Sequence, residues 1–205
     1  GHERLGRYLW ATGRLEESSV EFAQAVAILG DESGGVAAPV YAGLAQAEAL
    51  AGRDSSAERW STKVFNVVAT PDDSPVAWSM ACRALGIVRS NQGDPTSAVE
   101  LCREAVAVAP NAQSRALSGL YLCVTLGDAG DHSAELSAAQ DAIADGHRTG
   151  LDRGFGCYFD SLAVRSRLNT SSRCSPNPPG ISHRQARRPD CSPDVALNTP
   201  RAPGR

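Results

Sequence analysis

Lysine, methionine and aromatic residues are scarce in this chain of 205 residues. It holds 19 arginines but a single lysine, Lys63, only one methionine, and 5% aromatic residues. We interpret the arginine bias as the codon usage of a GC-rich genome. Because the net charge is only −3, the whole chain offers no electrostatic basis for binding nucleic acid. Apolar runs are too short to cross a bilayer and no signal-peptide pattern is present, so we expect a cytoplasmic protein without membrane contact.

Closely spaced cysteine pairs are also missing. The six cysteines stand at positions 82, 102, 123, 157, 174 and 191, and this spacing excludes a C-x-x-C metal or redox pair. Cys82, Cys102 and Cys123 fall on predicted apolar helix faces, where a free cysteine behaves as a small hydrophobic residue. We therefore expect reduced thiols in an intracellular protein rather than a disulfide framework.

Motifs for catalysis or cofactor binding do not occur. The chain has no G-x-x-x-x-G-K-[ST] phosphate loop and no G-x-S-x-G nucleophile elbow. Asp128, Asp131 and His132 have residue types that could bind a metal, but carboxylates beside a predicted turn are typical of helix caps. Glu16 and Glu17 could pair as catalytic acids, but acids in a first helical turn favour the macrodipole. The sequence predicts a protein that is not an enzyme and needs no cofactor or metal.

One periodic feature dominates what is present: Gly13, Gly52, Gly93 and Gly130 recur at intervals of 39, 41 and 37 residues. Each glycine follows a helical run and precedes a polar or charged residue. Glycine tolerates the left-handed conformation that ends many helices, so we predict that each one separates two helices. A period of this size is typical of helical repeat proteins.

Local signals place the helices around these turns. Asp94 followed by Pro95 predicts a helix start, Ser55 with Glu58 predicts a capping box, and Asp131 is expected to cap another helix. The predicted helices cover residues 2–12, 15–29, 36–51, 55–69, 75–91, 95–109, 112–127, 132–146 and 151–168.

After Leu168 the composition changes. Residues 169–205 contain seven of the twelve prolines and carry a charge of +4, which leaves −7 on residues 1–168. A segment of this composition cannot bury enough apolar surface to offset its ordering entropy, so we expect a disordered tail. Its basic run at Arg184, Arg187 and Arg188 could contact phosphates, but we favour an incidental cluster of charge.

The repeats resemble the tetratricopeptide repeat. The matching positions of the third repeat are Leu85-Gly86, Gly93-Asp94, Ala98, Ala105 and Pro110. The second repeat departs from the pattern at Ser61 and Val64, and the fourth is one residue short after Gly130. Small residues such as Gly86 and Ala98 let paired helices approach closely. The resemblance implies an all-α, right-handed superhelical solenoid of about four helical hairpins, at residues 1–30, 36–70, 75–110 and 112–147, with an extra helix at 151–168.

Irregular, Ala- and Arg-rich repeats of this kind are similar to the helical repeat region of large bacterial LuxR-type transcriptional regulators. In that family an ATPase module precedes the repeats and a helix-turn-helix domain follows them. The resemblance implies that residues 1–168 are part of a longer protein. It ends abruptly, which raises the hypothesis that residues 169–205 are out-of-frame coding sequence.

The resemblance also implies a function and a site. In the tetratricopeptide family the first helix of each hairpin lines a concave groove that binds a partner. The corresponding positions here are Arg7, Trp10, Gln46, Arg83, Ile87, Ser90 and Asn91. We expect a non-catalytic module that binds a protein, a peptide or a small-molecule signal within a transcriptional regulator. The alternatives are a stand-alone adaptor unrelated to transcription and an enzyme, for which the sequence gives little support.

Overall fold

The computed structural model describes residues 1–30 and 34–151, and this part of the chain forms helices and no strands. In chain order the α-helices are α1 (His2–Ala11), α2 (Leu15–Leu29), α3 (Ala38–Leu50), α4 (Asp54–Val67), α5 (Pro75–Asn91), α6 (Pro95–Ala107), α7 (Ala112–Asp128) and α8 (His132–Thr149). The predicted all-α fold class is confirmed for the described residues. The predicted helix at 151–168 and the tail at 169–205 lie outside them.

The predicted helix bounds lie within three residues of the observed ones, and two local features differ from the expectation or were not predicted. The predicted capping box at Ser55 and Glu58 is wrong, because α4 begins one residue earlier, at Asp54, and has no side-chain cap. Asp54 instead places its carboxylate in the first turn, where it favours the macrodipole. The segment before α5 forms a short 3₁₀ helix, Pro71–Asp73, whose capping box is made by Thr70 and Asp73.

The four periodic glycines make the turns predicted for them. Gly13, Gly52, Gly93 and Gly130 have φ of 78°, 75°, 81° and 77°, a region that residues with a Cβ rarely adopt. The residue after each glycine donates its N–H back to the preceding helix. The Asp94 N–H, for example, lies 2.9 Å from the Arg89 carbonyl. Asp94 then caps α6 as predicted, accepting a bond from the Ser97 N–H at 3.1 Å.

Consecutive helices pack against each other, and the odd-numbered helices also contact one another: α1 with α3, α3 with α5, and α5 with α7. Small residues permit these approaches. A Cβ built at Gly86 would lie 2.5 Å from the Cys102 Sγ, and one built at Gly119 would lie 2.9 Å from the Ala142 Cβ. The predicted role of Gly86 in close helix pairing is therefore confirmed.

Buried apolar side chains join neighbouring helices into one core. Tyr41, Val64 and Met80 belong to one buried cluster that joins α3, α4 and α5.

Cys82 and Cys102 are free and buried, as predicted, and burial raises their thiol pKa values to about 12 and about 11. Within the described residues, no helix is long and apolar enough to span a membrane.

Candidate binding cavity

A cavity of about 310 Å³ lies where α1, α3, α5 and α7 meet. It is lined by Arg7, Trp10, Ala11, Phe22, Gly43, Gln46, Val76, Met80, Arg83, Asn111, Gln113, Ser114 and Leu117. Four residues of the predicted groove, from three different helices, are thus brought to one cavity. They are Arg7, Trp10, Gln46 and Arg83.

Phe22 of α2 explains how part of the cavity wall forms. Its ring is almost fully buried and packs against two glycines of neighbouring helices. A Cβ at Gly43 would lie 2.3 Å from the ring, and a Cβ at Gly6 would lie 3.0 Å from it. Since neither glycine has a side chain, Phe22 can occupy the space between α1 and α3. Gln46, one turn further along α3, then lies beside the cavity.

Arg83 is the most unusual group of the site. Its side chain is buried, with 3% of the residue exposed. Nη2 donates a long hydrogen bond of 3.4 Å to the Gln46 Oε1, and the guanidinium carbon lies 5.8 Å from the centre of the Tyr121 ring. Nε and Nη1 have no hydrogen-bond partner among the described residues. Burial lowers the pKa of the guanidinium, while Tyr121 and Cys102 act in the opposite direction.

Gln46, like Arg83, is buried and has a hydrogen-bond donor without a partner in the described structure. It is 2% exposed, and its Nε2 has no hydrogen-bond partner within the described part of the chain. Turning the amide over would point its N–H groups at the Arg83 donors, so the hydrogen-bond network fixes its orientation. The unpartnered atoms of Arg83 and Gln46 are all donors. Leaving such groups buried without an acceptor is unfavourable by roughly 1–3 kcal/mol each.

The rest of the cavity wall is apolar or weakly polar. Trp10, Val76, Met80 and Leu117 supply apolar surface. Arg7, at the exposed side, is paired with Glu3, and the Arg7 Nε lies 3.0 Å from the Glu3 Oε1. None of the described residues that line the cavity is acidic. Arg83 therefore has no carboxylate partner there.

Helix α7 begins at this cavity. Its N-cap, Asn111, accepts a hydrogen bond from the Ser114 N–H at 2.9 Å, and Gln113 and Ser114 of the first turn also line the space. A helix N-terminus carries a partial positive charge. Together with Arg83, this end of α7 makes the potential in the cavity favourable for a negative group.

The other three predicted groove residues lie elsewhere. Ile87 packs against the buried alanines of α3, α4 and α5. Ser90 donates to the Asp128 Oδ2 at 2.5 Å, and Asn91 donates to the Asp54 Oδ1 at 3.0 Å. These residues lie one or more turns beyond Arg83 on α5, where they connect neighbouring hairpins.

Sequence reasoning missed the contribution of α7. The offsets taken from the tetratricopeptide pattern named no residue in the fourth repeat, because that repeat matches the pattern weakly. Asn111, Gln113, Ser114 and Leu117 therefore went unassigned although they line the cavity. The available signal was the Pro110-Asn111 pair, which marks the start of α7.

The tryptophans divide between core and cavity. Trp60 stacks on Tyr41 with ring centres 5.6 Å apart, and Trp78 meets Phe65 edge-on at 4.7 Å. Both tryptophans thus pack between neighbouring helices, Trp60 between α4 and α3 and Trp78 between α5 and α4. Trp10 instead lines the cavity, where its indole can contact a ligand.

Several charged groups outside the cavity pair with each other. Asp145 accepts hydrogen bonds from Arg115 and Arg148, and the Arg115 guanidinium holds the pKa of this carboxyl below its usual value. Asp131 caps α8 by accepting from the Ala134 N–H at 3.1 Å, and His132 contacts Glu135. In residues 1–30 and 34–151, no group of three His, Cys, Asp or Glu side chains is placed to hold a metal ion.

Comparisons with known proteins add no relationship to this geometry. No protein-family model matches the sequence, and no curated protein matches it at a significant level.

Proposed function

We propose that this chain is a non-catalytic binding module, and that the cavity between α1, α3, α5 and α7 is its binding site. The observation that carries the proposal is the convergence of Arg7, Trp10, Gln46 and Arg83 on one cavity. An apolar space with a few converging polar groups is the usual form of a ligand site, and such sites enclose roughly 300–1,000 Å³. The cavity, at about 310 Å³, has room for a small ligand or one side chain of a peptide.

The proposed architecture is a right-handed superhelical solenoid of tetratricopeptide-like hairpins. Two features support it: each helix packs on the next, and each odd-numbered helix packs on the following odd-numbered helix. Stacked hairpins bury the apolar faces that a single hairpin leaves exposed. In such an array the first helices of successive hairpins share one surface, and the cavity lies on those helices.

The resemblance to bacterial LuxR-type regulators supports a setting for this module, as the part of a regulator that receives a protein or small-molecule signal. Sequencing the neighbouring reading frames tests that setting. An ATP-binding motif upstream and a helix-turn-helix downstream are expected. An isolated gene would contradict it and favour a stand-alone adaptor.

The binding site itself can be tested through Met80, the only methionine of the sequence. A ¹³C-methyl label on methionine gives one signal from the cavity wall, in a sample without an initiator methionine. A library of neutral and charged fragments should contain members that shift this signal. Ala11→Trp, which fills the cavity from the last residue of α1, should abolish the shifts. Ala27→Trp, on an exposed position of α2, is the matched control.

If no fragment shifts the Met80 methyl signal, the cavity is not a ligand site. The same conclusion follows if Ala11→Trp and Ala27→Trp leave equal shifts.

A further inference from the structure

The cavity has a donor surplus that points to the chemistry of its ligand. The Arg83 Nε and Nη1 and the Gln46 Nε2 are buried donors without an acceptor among the described residues. The Arg83 Nη2 is bound to the Gln46 Oε1 at 3.4 Å, which joins the two side chains into one polar group. Every unsatisfied atom of this group needs an acceptor.

A second observation concerns charge. The buried guanidinium is cationic, and none of the described residues lining the cavity is an Asp or a Glu. A buried ion without an opposite charge is strongly unfavourable. The buried Glu48 differs in this respect, because it accepts two hydrogen bonds from Arg53, at 2.8 and 2.9 Å.

The surroundings favour one class of anion. A single guanidinium and one amide match a group with one negative charge and two acceptor oxygens. Trp10, Phe22, Met80 and Leu117 line the same space with apolar surface, which suits an uncharged hydrocarbon body. A phosphate would bring close to two charges and three acceptor oxygens to a site with one buried cation.

We infer that the cavity binds an organic carboxylate with an apolar body, and that Arg83 and Gln46 hold its carboxylate group. This inference deepens the proposed function and depends on it. The carboxylate can come from a free small acid or from the C-terminus of a peptide, since both present the same group. Binding would require Arg83 or Gln46 to turn a short distance, because their unpartnered nitrogens are covered in the free protein.

The test is a titration of the full chain, followed by the Met80 methyl signal at constant chloride concentration. The probes are phenylacetate, its neutral analogue phenylacetamide, inorganic phosphate, and the tripeptide Ala-Ala-Phe with a free or an amidated C-terminus. We expect at least one of the two carboxylates to bind at least tenfold more tightly than its amide. Tighter binding of phenylacetate would identify a free acid as the source, and tighter binding of the peptide a C-terminus.

The variants separate the role of Arg83 from a general loss of structure. In those that add a second methionine, the affinity is measured by isothermal titration calorimetry instead of the Met80 signal. Arg83→Met should weaken carboxylate binding at least tenfold, and Gln46→Leu should weaken it severalfold. Arg59→Met, which removes an exposed charge from α4, should leave it unchanged.

Three results would overturn the inference: equal affinity for the acids and their amides, unchanged affinity in Arg83→Met, or tighter binding of phosphate than of either carboxylate. Neutral fragments that still shift the Met80 signal would then show that the cavity binds ligands of another class, which leaves the proposed function standing. The proposed function fails in a different case, in which no fragment of any charge shifts the Met80 signal.

Discussion

Replacing Arg83 by methionine should make the ligand-free protein more stable. Methionine has a similar length, no charge and no hydrogen-bond donor, so it removes the two buried nitrogens that have no partner. Most substitutions of a buried side chain destabilise a protein. An increase is therefore a distinctive outcome, and it follows only if the guanidinium is unsatisfied in the free state.

The size of the expected gain in the free energy of unfolding follows from the contacts of the Arg83 side chain. Each buried donor without an acceptor is unfavourable by roughly 1–3 kcal/mol, and Nε and Nη1 are two such atoms. The substitution also loses the contact with the Tyr121 ring at 5.8 Å, which contributes about 0.5–2 kcal/mol. It leaves the Gln46 Oε1 without its donor, which is unfavourable by about 1 kcal/mol. The balance is a gain of about 1–2 kcal/mol in the free energy of unfolding, within the range known for replacing buried ions by apolar residues.

Urea unfolding at 25 °C, on protein dialysed free of ligand, measures this change through the midpoint at constant m-value. Thermal unfolding should show a rise of roughly 2–8 °C. Arg59→Met, on the surface of α4, is the control and should stay within about 0.5 kcal/mol of the parent protein. If Arg83→Met is less stable than the parent by more than about 1 kcal/mol, with an unchanged m-value, the guanidinium is satisfied in the free protein and an unpartnered buried cation is ruled out.

Three further predictions concern the repeat framework. Gly86→Ala should lower the free energy of unfolding by about 1–3 kcal/mol, because the new Cβ would lie 2.5 Å from the Cys102 Sγ. Adding Cys102→Ala should recover part of this loss, and a neutral effect of Gly86→Ala in urea unfolding would contradict the close approach. Gly93→Ala should be destabilising by about 1–2 kcal/mol at φ +81°, whereas Gly34→Ala, at an exposed position without positive φ, should have little effect. Asp145 has a lowered pKa in the folded state, chiefly through its hydrogen bond from Arg115. Its pairing therefore stabilises the fold above the unfolded pKa of about 3.9 and is lost as the pH falls further. Asp145→Asn should remove this part of the acid dependence of urea unfolding, and an identical pH profile in the variant would argue against it.

The framework was predictable because its signals are local. A positive φ at Gly93 follows from a glycine between two helical runs, and the cap at Asp94 follows from an aspartate before proline. Ser55 shows the limit of this reasoning. It has the right neighbours for a capping box, yet α4 begins before it, at Asp54. Each helix after a periodic glycine begins two residues beyond that glycine, so the turn sets the helix start here.

The site was predictable only in part because it depends on how distant helices meet. Arg83 and Gln46 could be assigned to a shared surface from the repeat offsets, but their mutual contact and their lack of an acceptor come from packing. Ile87 has the same kind of offset but is only partly buried and packs against the alanine core instead. Leu117 had no offset to identify it, because the fourth repeat matches the pattern poorly.

The most direct test of the account is a chemical double-mutant cycle on carboxylate recognition. The affinities of the tighter-binding carboxylate, phenylacetate or Ala-Ala-Phe, and of its amide are measured for the parent protein and for Arg83→Met, and the coupling between the two changes is calculated. If Arg83 holds the carboxylate, the preference for the acid over the amide should fall at least tenfold in the variant, a coupling of at least about 1.4 kcal/mol. An equal acid-to-amide preference in both proteins would contradict the account.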